Sequence, residues 1–434
     1  MAYEVSWLGT AGAPLATSVR RRPISRGFSA KSISACGVDG APGSAAPVDR
    51  RWYNPERRKR KFYPPPKPVR HWVQAEDTTL HDCPSKDSFV LLSYNILGEH
   101  NASKHHELYW NIPSDFMNWN SRKRLICHEI RRWNADLLCL QEVDRYEDIS
   151  ICIRGKGYVG GYKGRTGGAK DGCALFWKKE RFKLLEVDNI EFRSFGLRNN
   201  VAQLFVLELS EDDQRRVVVG NIHVLFNPKR GDVKLGQVHR LLLKANALSE
   251  KWGGIPVVLA GDFNSTPESA IYEFLSTSKL SIALQGRKKG FRQDKCQFVL
   301  DDLPCLINDW TGGNLTRAIV NSQDSLITHP LHLKSSYASV QRNASTRDSL
   351  GEPLATSCHS KFLGTVDYIW YSTGLACTRV LDTLPLDTLR KLGGLPCKDI
   401  GSDHLALVAE FKFTRGNESQ QEGISIDKSK KRRN

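Results

Sequence analysis

Polar residues that could bind a metal ion or move a proton stand at the ends of several short apolar runs. Asn95 closes FVLLSYN, Glu142 follows DLLCLQ, and His404 directly precedes LALV. Any one of them could cap a turn or pair with an opposite charge. Polar residues at six strand ends favour a shared site, because strand ends at one edge of a β-sandwich converge. In chain order the set is Asn95, Glu142, Asn221, His223, Asp262, Asn264, Asp367, Asp403 and His404.

The composition of this set indicates a reaction class. Carboxylate and amide oxygens suit Mg²⁺, or Mn²⁺ as an alternative, better than zinc. A hard cation neutralises phosphoryl oxygens, and a carboxylate can activate a water. A histidine can hydrogen-bond the charge that develops in the transition state. The residue types therefore predict cleavage of a phosphate ester.

The apolar runs predict the elements that must position these residues. Helical spacing predicts helices over Arg122–Asn134, Val233–Lys251 and Pro267–Thr277. Because strands alternate with helices and also occur in adjacent pairs, we expect an α/β (α+β) fold of two packed sheets with helices outside each. The predicted strands are Phe89–Ile96, Asp136–Leu140, Cys173–Lys178, Val201–Leu209, Val217–Leu225, Ile255–Ala260, Val366–Ser372 and Leu405–Phe413.

The 434-residue chain divides by composition. Residues 1–82 are rich in Arg, Ala, Gly, Ser and Pro without any period, which predicts a disordered basic extension. Residues 83–414 form the predicted core, interrupted by a polar, loop-rich insertion at 278–360. Residues 415–434 are predicted to be a disordered basic tail. No apolar run is long enough for a transmembrane helix, so we expect no membrane partner.

Net charge and cysteine usage narrow the possible partners and the possible cysteine sites. The net charge of +16 favours a polyanionic partner, RNA or DNA, and more than half of the excess lies in the two terminal segments. None of the eleven cysteines forms a C-x-x-C pair, which leaves a zinc ribbon unsupported. Cys139 and Cys173 lie in apolar runs, and the cysteines are predicted to be buried free thiols.

Two basic runs bear on localisation. Arg57–Lys61 and Lys430–Arg433 predict nuclear import signals or backbone-binding patches, with a solvated charge run as the alternative. We therefore expect the nucleus and cytoplasm. Residues 1–35 contain one acidic residue and five basic ones, a composition that also suits an organelle transit peptide.

The ordered motifs SYN, LQEV, NIHV, GDFNS, VDYI and SDH resemble the endonuclease/exonuclease/phosphatase superfamily over about residues 83–414. The stretches SYNILGEH, MNWNSRKRLICHEI, DVKLGQVHRLL and FLGTVDYIWYS are similar to its deadenylase branch. Within that branch the chain resembles plant carbon catabolite repressor protein 4 homologues without leucine-rich repeats, which are similar to Angel and nocturnin proteins. The resemblance implies a DNase I-like four-layer α/β/β/α sandwich of two mixed sheets.

The resemblance also implies roles for the residues nearest the metal. Glu142 would be the principal Mg²⁺ ligand, with Asn95 close to the metal. Asp262 would orient or deprotonate the attacking water. Asn264 would position water or phosphate. Asp367 would be a further carboxylate that faces the metal or orients a histidine.

Histidines and substrate contacts complete the implied set. His223 and His404 would stabilise the phosphoryl transition state, and Asp403 would orient the His404 ring. Phe362 and Pro228 match the positions at which family deadenylases stack the terminal adenine, with plain loop packing as the alternative. We also expect Asn221 to contact substrate.

The implied function is a Mg²⁺-dependent 3′-to-5′ exoribonuclease that shortens mRNA poly(A) tails and releases 5′-AMP. The implied partners are poly(A) RNA and a deadenylase complex of the carbon catabolite repressor 4–Not type. Residues 1–82 cannot supply the roughly 20–29-residue repeats of a leucine-rich-repeat domain. The sequence therefore leaves open whether the chain joins such a complex. One alternative is a phosphatase or phosphodiesterase of the same fold, acting on 2′,3′-cyclic RNA ends, a dinucleotide, abasic DNA or a lipid head group. The other is a non-catalytic RNA-binding scaffold.

Overall fold

The central strands carry apolar side chains on both faces, because each face is covered by another layer. The computed structural model describes residues 69–75, 86–281, 326–341 and 343–414. In strand β2 (Ser88–Asn95), Phe89 and Leu91 enter a core between two sheets. Leu92 and Tyr94 enter a second core beneath helices. Such a run cannot alternate apolar with polar, which is why the sequence shows it as continuous.

A seven-stranded mixed sheet forms one inner layer. Strands β2 and β3 are parallel at its centre, and their other neighbours are antiparallel. In spatial order its strands are β1 (Trp72–Gln74), β16 (Leu375–Leu381), β17 (Leu407–Phe413), β2, β3 (Leu137–Gln141), β5 (Gly172–Lys178) and β4 (Tyr158–Gly164).

A six-stranded mixed sheet forms the other inner layer. Its central strands β8 and β9 are parallel, and the remaining pairs are antiparallel. In spatial order its strands are β12 (Lys334–Ser335), β15 (Asp367–Tyr371), β9 (Val257–Asp262), β8 (Asp212–His223), β7 (Val201–Leu209) and β6 (Phe182–Glu191). Two ribbons stand apart, β10 (Lys279–Ser281) with β11 (Leu326–Thr328) and β13 (Ser357–His359) with β14 (Phe362–Gly364).

Helices cover the outer face of each sheet. Helices α3 and α4 bury Ile126, Ile130 and Ile149 against the first sheet. Helices α5 and α6 bury Leu241 and Phe274 against the second. The predicted four-layer α/β/β/α sandwich is confirmed. The helices are α1 (Glu99–Lys104), α2 (Ser114–Met117), α3 (Trp119–Trp133), α4 (Tyr146–Arg154), α5 (Gly231–Lys251), α6 (Ala270–Thr277) and α7 (Leu386–Leu392).

Two segments depart from the sequence expectations. Trp72–Gln74 lie within the stretch expected to be disordered, yet they form β1 and pair with β16. Three residues are too short to show a period, and Arg70 ties this edge down through bonds to backbone carbonyls of Asp382, Leu381 and Ala406. In the stretch 278–360, the described parts contribute strands β10 to β13, whose two or three residues likewise leave no pattern.

The cysteines follow the prediction only in part. Cys139 and Cys173 are buried free thiols, as expected. Cys127 on α3 and Cys152 on α4 are joined as a disulfide, which corrects the expectation of free thiols throughout. Their spacing of 25 residues carries no motif, so only the packing of the two helices brings them together. No helix in the described ranges is both long and apolar enough to cross a membrane. The basic runs at 57–61 and 430–433 lie outside the described residues.

Candidate active site

The strand directions bring the predicted residues to one edge of the sandwich. Parallel β2 and β3 end at Asn95 and Gln141, and parallel β8 and β9 end at His223 and Asp262. Strand β15 runs antiparallel to β9, so its first residue, Asp367, lies opposite Asp262. The chain enters β17 at the same edge, since Leu407 pairs with Ser93 of β2. The predicted convergence of strand ends is therefore what the structure shows.

Asn95 bridges two carboxylates of the site. Its Nδ2 donates to Asp262 Oδ2 at 3.0 Å and to Glu142 Oε1 at 3.3 Å. Its Oδ1 accepts from the backbone N–H of Leu97 at 3.0 Å. The amide nitrogen, and not the oxygen, therefore faces the site. In this arrangement Asn95 spaces the two carboxylates instead of offering an oxygen ligand.

Glu142 follows β3 and is held by groups from α1. Its Oε2 accepts from Asn101 Nδ2 at 2.9 Å and from the backbone N–H of Gly98 at 3.2 Å. A Cβ at position 98 would lie 2.7 Å from the Glu142 carbonyl oxygen, so the close approach requires glycine there. Burial, together with the negative charges of Asp403 and Asp171, raises the pKa of Glu142 to about 7.

His404 is oriented by Asp367. Its Nδ1 lies 2.8 Å from Asp367 Oδ2, which also accepts from Thr356 Oγ1 at 2.6 Å. Although burial alone lowers it, the carboxylates of Asp367 and Asp403 raise the pKa of His404 well above its ordinary value. The Nε2 faces Asp262 Oδ2 at 3.9 Å. A protonated ring held this way directs its Nε2–H toward the Asp262 carboxylate.

Asp403 does not orient His404, which corrects the sequence expectation. Its Oδ2 accepts instead from the buried hydroxyl of Tyr109 at 2.9 Å. The two side chains therefore have different partners, Tyr109 for Asp403 and Asp367 for His404. Asp367 is also predicted as a carboxylate that could orient a histidine, and it is the residue that contacts the His404 ring. Asp403 contributes charge near the site and fixes the loop that carries Tyr109.

His223 lies on the other side of Asp262. Its Nε2 is 3.6 Å from Asp262 Oδ2, and the ring is buried. Burial lowers its pKa, which favours the neutral imidazole. Within the described part of the chain, no group hydrogen-bonds its Nδ1. Because that nitrogen is also shielded from solvent, it is a buried polar atom left unsatisfied among the described residues.

The turn after β9 fixes Asp262 and Asn264. Asp262 Oδ1 accepts from the backbone N–H of Asn264 at 2.8 Å, and Asn264 Nδ2 donates to Val224 O at 3.0 Å. Lys234 of α5 is fully buried, and its ammonium donates to the Asn264 carbonyl. Burial lowers the pKa of Lys234 to about 8, and the negative charge of Asp262 opposes that effect.

Left-handed backbone at non-glycine residues marks three of the strand ends. Leu97, Glu142 and Asn264 have φ of 53°, 55° and 48°. Such conformations cost on the order of 1 kcal/mol or more each and cluster at functional sites. Each follows a strand of the converging edge, so the fold stores strain where it presents the candidate ligands.

The donor set fits a hard divalent cation. One oxygen or nitrogen atom from each of Asp262, Asp367 and His404 lies within 4.8 Å of the others, and all three residues are buried. Burial and the nearby Asp367 raise the pKa of Asp262. The pKa values of Asp262 and Glu142 are raised first by burial and then by neighbouring carboxylates, and a bound cation would favour the ionised form of both. Oxygen donors of this kind suit Mg²⁺ or Mn²⁺.

The three residues predicted to contact substrate differ in burial. Asn221 is wholly buried between the sheets. It donates to Leu140 O at 3.1 Å and Ala174 O at 3.0 Å, and accepts from Gln141 Nε2 at 2.8 Å. These bonds occupy its amide, so it joins the two sheets and does not face a substrate. Phe362 is half-buried on β14, and Pro228 is half-buried in the loop before α5.

Sequence reasoning missed several residues of the site. Asn101, Tyr109 and Thr356 lie in polar stretches with no motif, and only the folded chain brings them to Glu142, Asp403 and Asp367. Lys234 did leave a signal. It shares a helix face with Val238, Leu241 and Ala245, where a charged side chain needs a buried partner.

Comparisons with known proteins show the family and the fold of the chain. Residues 92–404 match the model of the Endonuclease/Exonuclease/phosphatase family. Carbon catabolite repressor protein 4 homolog 3 of Arabidopsis thaliana is 50% identical over 377 residues, which cover 84% of each chain. The CCR4-Not complex 3′-5′-exoribonuclease subunit Ccr4 of Phaeosphaeria nodorum is 27% identical over 436 residues, covering 84% of this chain and 66% of that one. A crystal structure of ANGEL2, a 2′,3′-cyclic phosphatase, in complex with adenosine-2′,3′-vanadate aligns with TM-score 0.64 and 32% identity. That alignment covers 80% of this chain and 99% of that one.

Proposed function

The chain belongs to the endonuclease/exonuclease/phosphatase family, and from that premise we propose that it is a 3′-to-5′ exoribonuclease acting on poly(A) tails. It hydrolyses the last phosphodiester bond of the RNA and releases 5′-AMP. The carrying observation is the Asp367–His404–Asp262 arrangement beside the Asn95-bridged Glu142. This arrangement supports the proposal because a carboxylate suited to activate water lies beside a histidine whose pKa is raised.

In the proposed reaction, a water attacks the phosphorus of the terminal nucleotide. Asp262 accepts the proton of that water, as a general base must. His404 donates from Nε2 to a phosphoryl oxygen, while Asp367 fixes the opposite nitrogen and holds the ring protonated. The bond from phosphorus to the 3′ oxygen of the penultimate nucleotide breaks. The shortened RNA keeps a 3′-hydroxyl after taking up a proton.

Mg²⁺ is the proposed cofactor, with Mn²⁺ as an alternative. Glu142 would hold it, with Asn95 close by and hydrogen-bonded to both Glu142 and Asp262. When bound, such a cation neutralises charge on the phosphoryl oxygens. Asn95 and Asn101 keep the Glu142 carboxylate in place, and the pKa of about 7 means that a proton competes for it in the absence of a cation.

Poly(A) RNA is the proposed partner, supported by the deadenylase-type motifs and by the two repressor-protein relatives. One of these relatives carries the Not complex in its name, which supports a deadenylase complex as a further proposed partner. The basic terminal segments support the nucleus and cytoplasm as the proposed location.

The proposal is tested with 5′-labelled RNA that ends in twenty adenosines. We expect a ladder that needs Mg²⁺, disappears in EDTA and stalls where the adenosines end. Glu142→Ala and Glu142→Gln should abolish shortening while the melting temperature stays near that of the parent. Glu147→Ala, an exposed acidic residue on α4, is the matched control and should retain full activity. Activity within tenfold of the parent in both Glu142 variants would sink the assignment.

A second candidate is hydrolysis of a 2′,3′-cyclic phosphate at an RNA end. The observation that favours it is the similarity to the structure of ANGEL2, named a 2′,3′-cyclic phosphatase. The two candidates share the site and differ in the bond that is broken. The same RNA ending in a 2′,3′-cyclic phosphate separates them, because a cyclic phosphatase opens the ring and leaves the chain length unchanged.

A further inference from the structure

An exposed tryptophan stands beside the candidate site with no role in the chemistry above. Trp110 is 78% exposed, more than any other large apolar residue in the described ranges. A single exposed apolar side chain does not mark a binding surface by itself, so the residues around Trp110 decide whether it belongs to one. It follows Tyr109 in the chain, and Tyr109 is buried with its hydroxyl on Asp403. Trp110 is thus one residue away from a side chain that touches the site.

A row of aromatic rings runs from Asp403 along the rim. The Tyr109 ring contacts His359 edge-on with centroids 6.3 Å apart, and His359 contacts Phe362 with centroids 6.0 Å apart. His359 and Phe362 are opposite one another in the ribbon of β13 and β14. This ribbon lies against the site, because Ser357 bridges His404. The row therefore leads outward from the catalytic edge.

The Trp110 loop and the ribbon form one surface. The backbone N–H of Ser360, at the ribbon's turn, donates to Leu108 O at 3.1 Å. Asn111, on the other side of Trp110, donates to Gly393 O at 2.5 Å. The loop is thus fixed on both sides of Trp110, which presents the indole on a rigid support. Lys361 at the turn is exposed and adds a positive charge beside the rings.

We propose that Trp110, His359 and Lys361 form a docking surface for single-stranded RNA upstream of the 3′-terminal nucleotide. This inference rests on the proposed function and deepens it by naming a substrate of several unpaired nucleotides. Stacking of bases on aromatic rings is tolerant of sequence, and a nearby lysine suits the backbone phosphates. Burial lowers the pKa of His359, so the ring is neutral and apolar enough to stack.

Direct binding to the full-length protein tests the surface independently of turnover. The probes are fluorescent A20, A3 and a hairpin RNA whose bases are paired, all in EDTA, with anisotropy as the readout. Trp110→Ala should weaken A20 binding about tenfold and change A3 and hairpin binding by less than about twofold. Trp110→Phe should restore most of the loss. Ile151→Ala, which removes an exposed apolar side chain of α4, is the matched control and should bind like the parent.

Equal A20 affinity for Trp110→Ala and the parent would overturn the docking surface and leave Trp110 to a protein partner. So would an equal loss on A20 and the hairpin, since paired bases cannot stack on the indole. Turnover of the A20 ladder is scored separately. A parent protein that binds A20 through Trp110 but shortens nothing would retain the docking surface and refute the proposed exonuclease.

Discussion

Replacing Asp367 by Asn isolates the charge that keeps His404 protonated. The substitution preserves the size of a buried side chain and leaves an oxygen that can accept from Thr356 and from His404 Nδ1. It removes the negative charge 2.8 Å from the imidazole. The carboxylates raise the pKa of His404, so losing one lowers it toward the ordinary value. A neutral ring whose Nδ1 donates to Asn has no proton left on Nε2.

The size of the effect follows from the lost donor. Removing one preorganised donor to a developing oxyanion costs about 10²–10³ in kcat. If the His404 pKa returns to about 6.5, the ring is protonated to about 3% at pH 8 and about 75% at pH 6. The deficit of the variant relative to the parent should therefore shrink about 25-fold between pH 8 and pH 6. The deficit must shrink toward low pH and not grow, because the raised pKa keeps His404 of the parent protonated up to a higher pH than in the variant.

The assay is single-turnover shortening of labelled A20 at saturating Mg²⁺, reported as the ratio of parent to variant rate at each pH. Taking the ratio removes titrations that both proteins share. Combining Asp367→Asn with His404→Ala is the control, and there the ratio to His404→Ala alone should not depend on pH. Melting temperatures confirm that each variant is folded.

Two results would refute this reasoning. A ratio that stays constant from pH 6 to pH 8 would show that Asp367 does not act through the His404 proton. A deficit that is relieved by raising Mg²⁺ and not by lowering pH would assign Asp367 to the cation. Cation binding by Asp367 is the relevant alternative, because Asp367 lies near Asp262 and His404.

Two further substitutions follow from buried contacts. Asn221→Leu removes the side-chain donor to the Leu140 and Ala174 carbonyls and the acceptor for Gln141 Nε2, which keeps its bond to Cys139 O. Each buried group left unsatisfied costs about 1–3 kcal/mol. Urea unfolding should show a loss of about 3 kcal/mol or more with KM for RNA unchanged, whereas a raised KM at unchanged stability would restore the predicted substrate contact. Lys234→Met removes the cation beneath the turn that carries Asp262, so the acid limb of the kcat profile should move to higher pH and kcat should fall about tenfold with KM unchanged. An unshifted acid limb would show that Lys234 does not act on Asp262.

The sequence by itself determined the elements and most of the residues at the site. Short continuous apolar runs such as FVLLSYN and VVLAGD are typical of strands buried on both faces, and two such sheets need helices outside them. Polar residues placed at the ends of these runs then had to meet at one edge. The ordered motifs also carried the family, because each motif contains both the strand and the functional side chain that follows it.

Only the tertiary structure decided which side chains touch. The pairing of His404 with Asp367 instead of Asp403 depends on the register of β15 and on the contact of Asp403 with Tyr109. The place of Asn221 between the sheets depends on how closely they pack. The row of rings from Tyr109 through His359 to Phe362 joins a loop near residue 110 to a ribbon near residue 360. Contacts between residues so far apart in the chain leave no local pattern, since hydrophobic period and turn chemistry record only a residue's nearest neighbours.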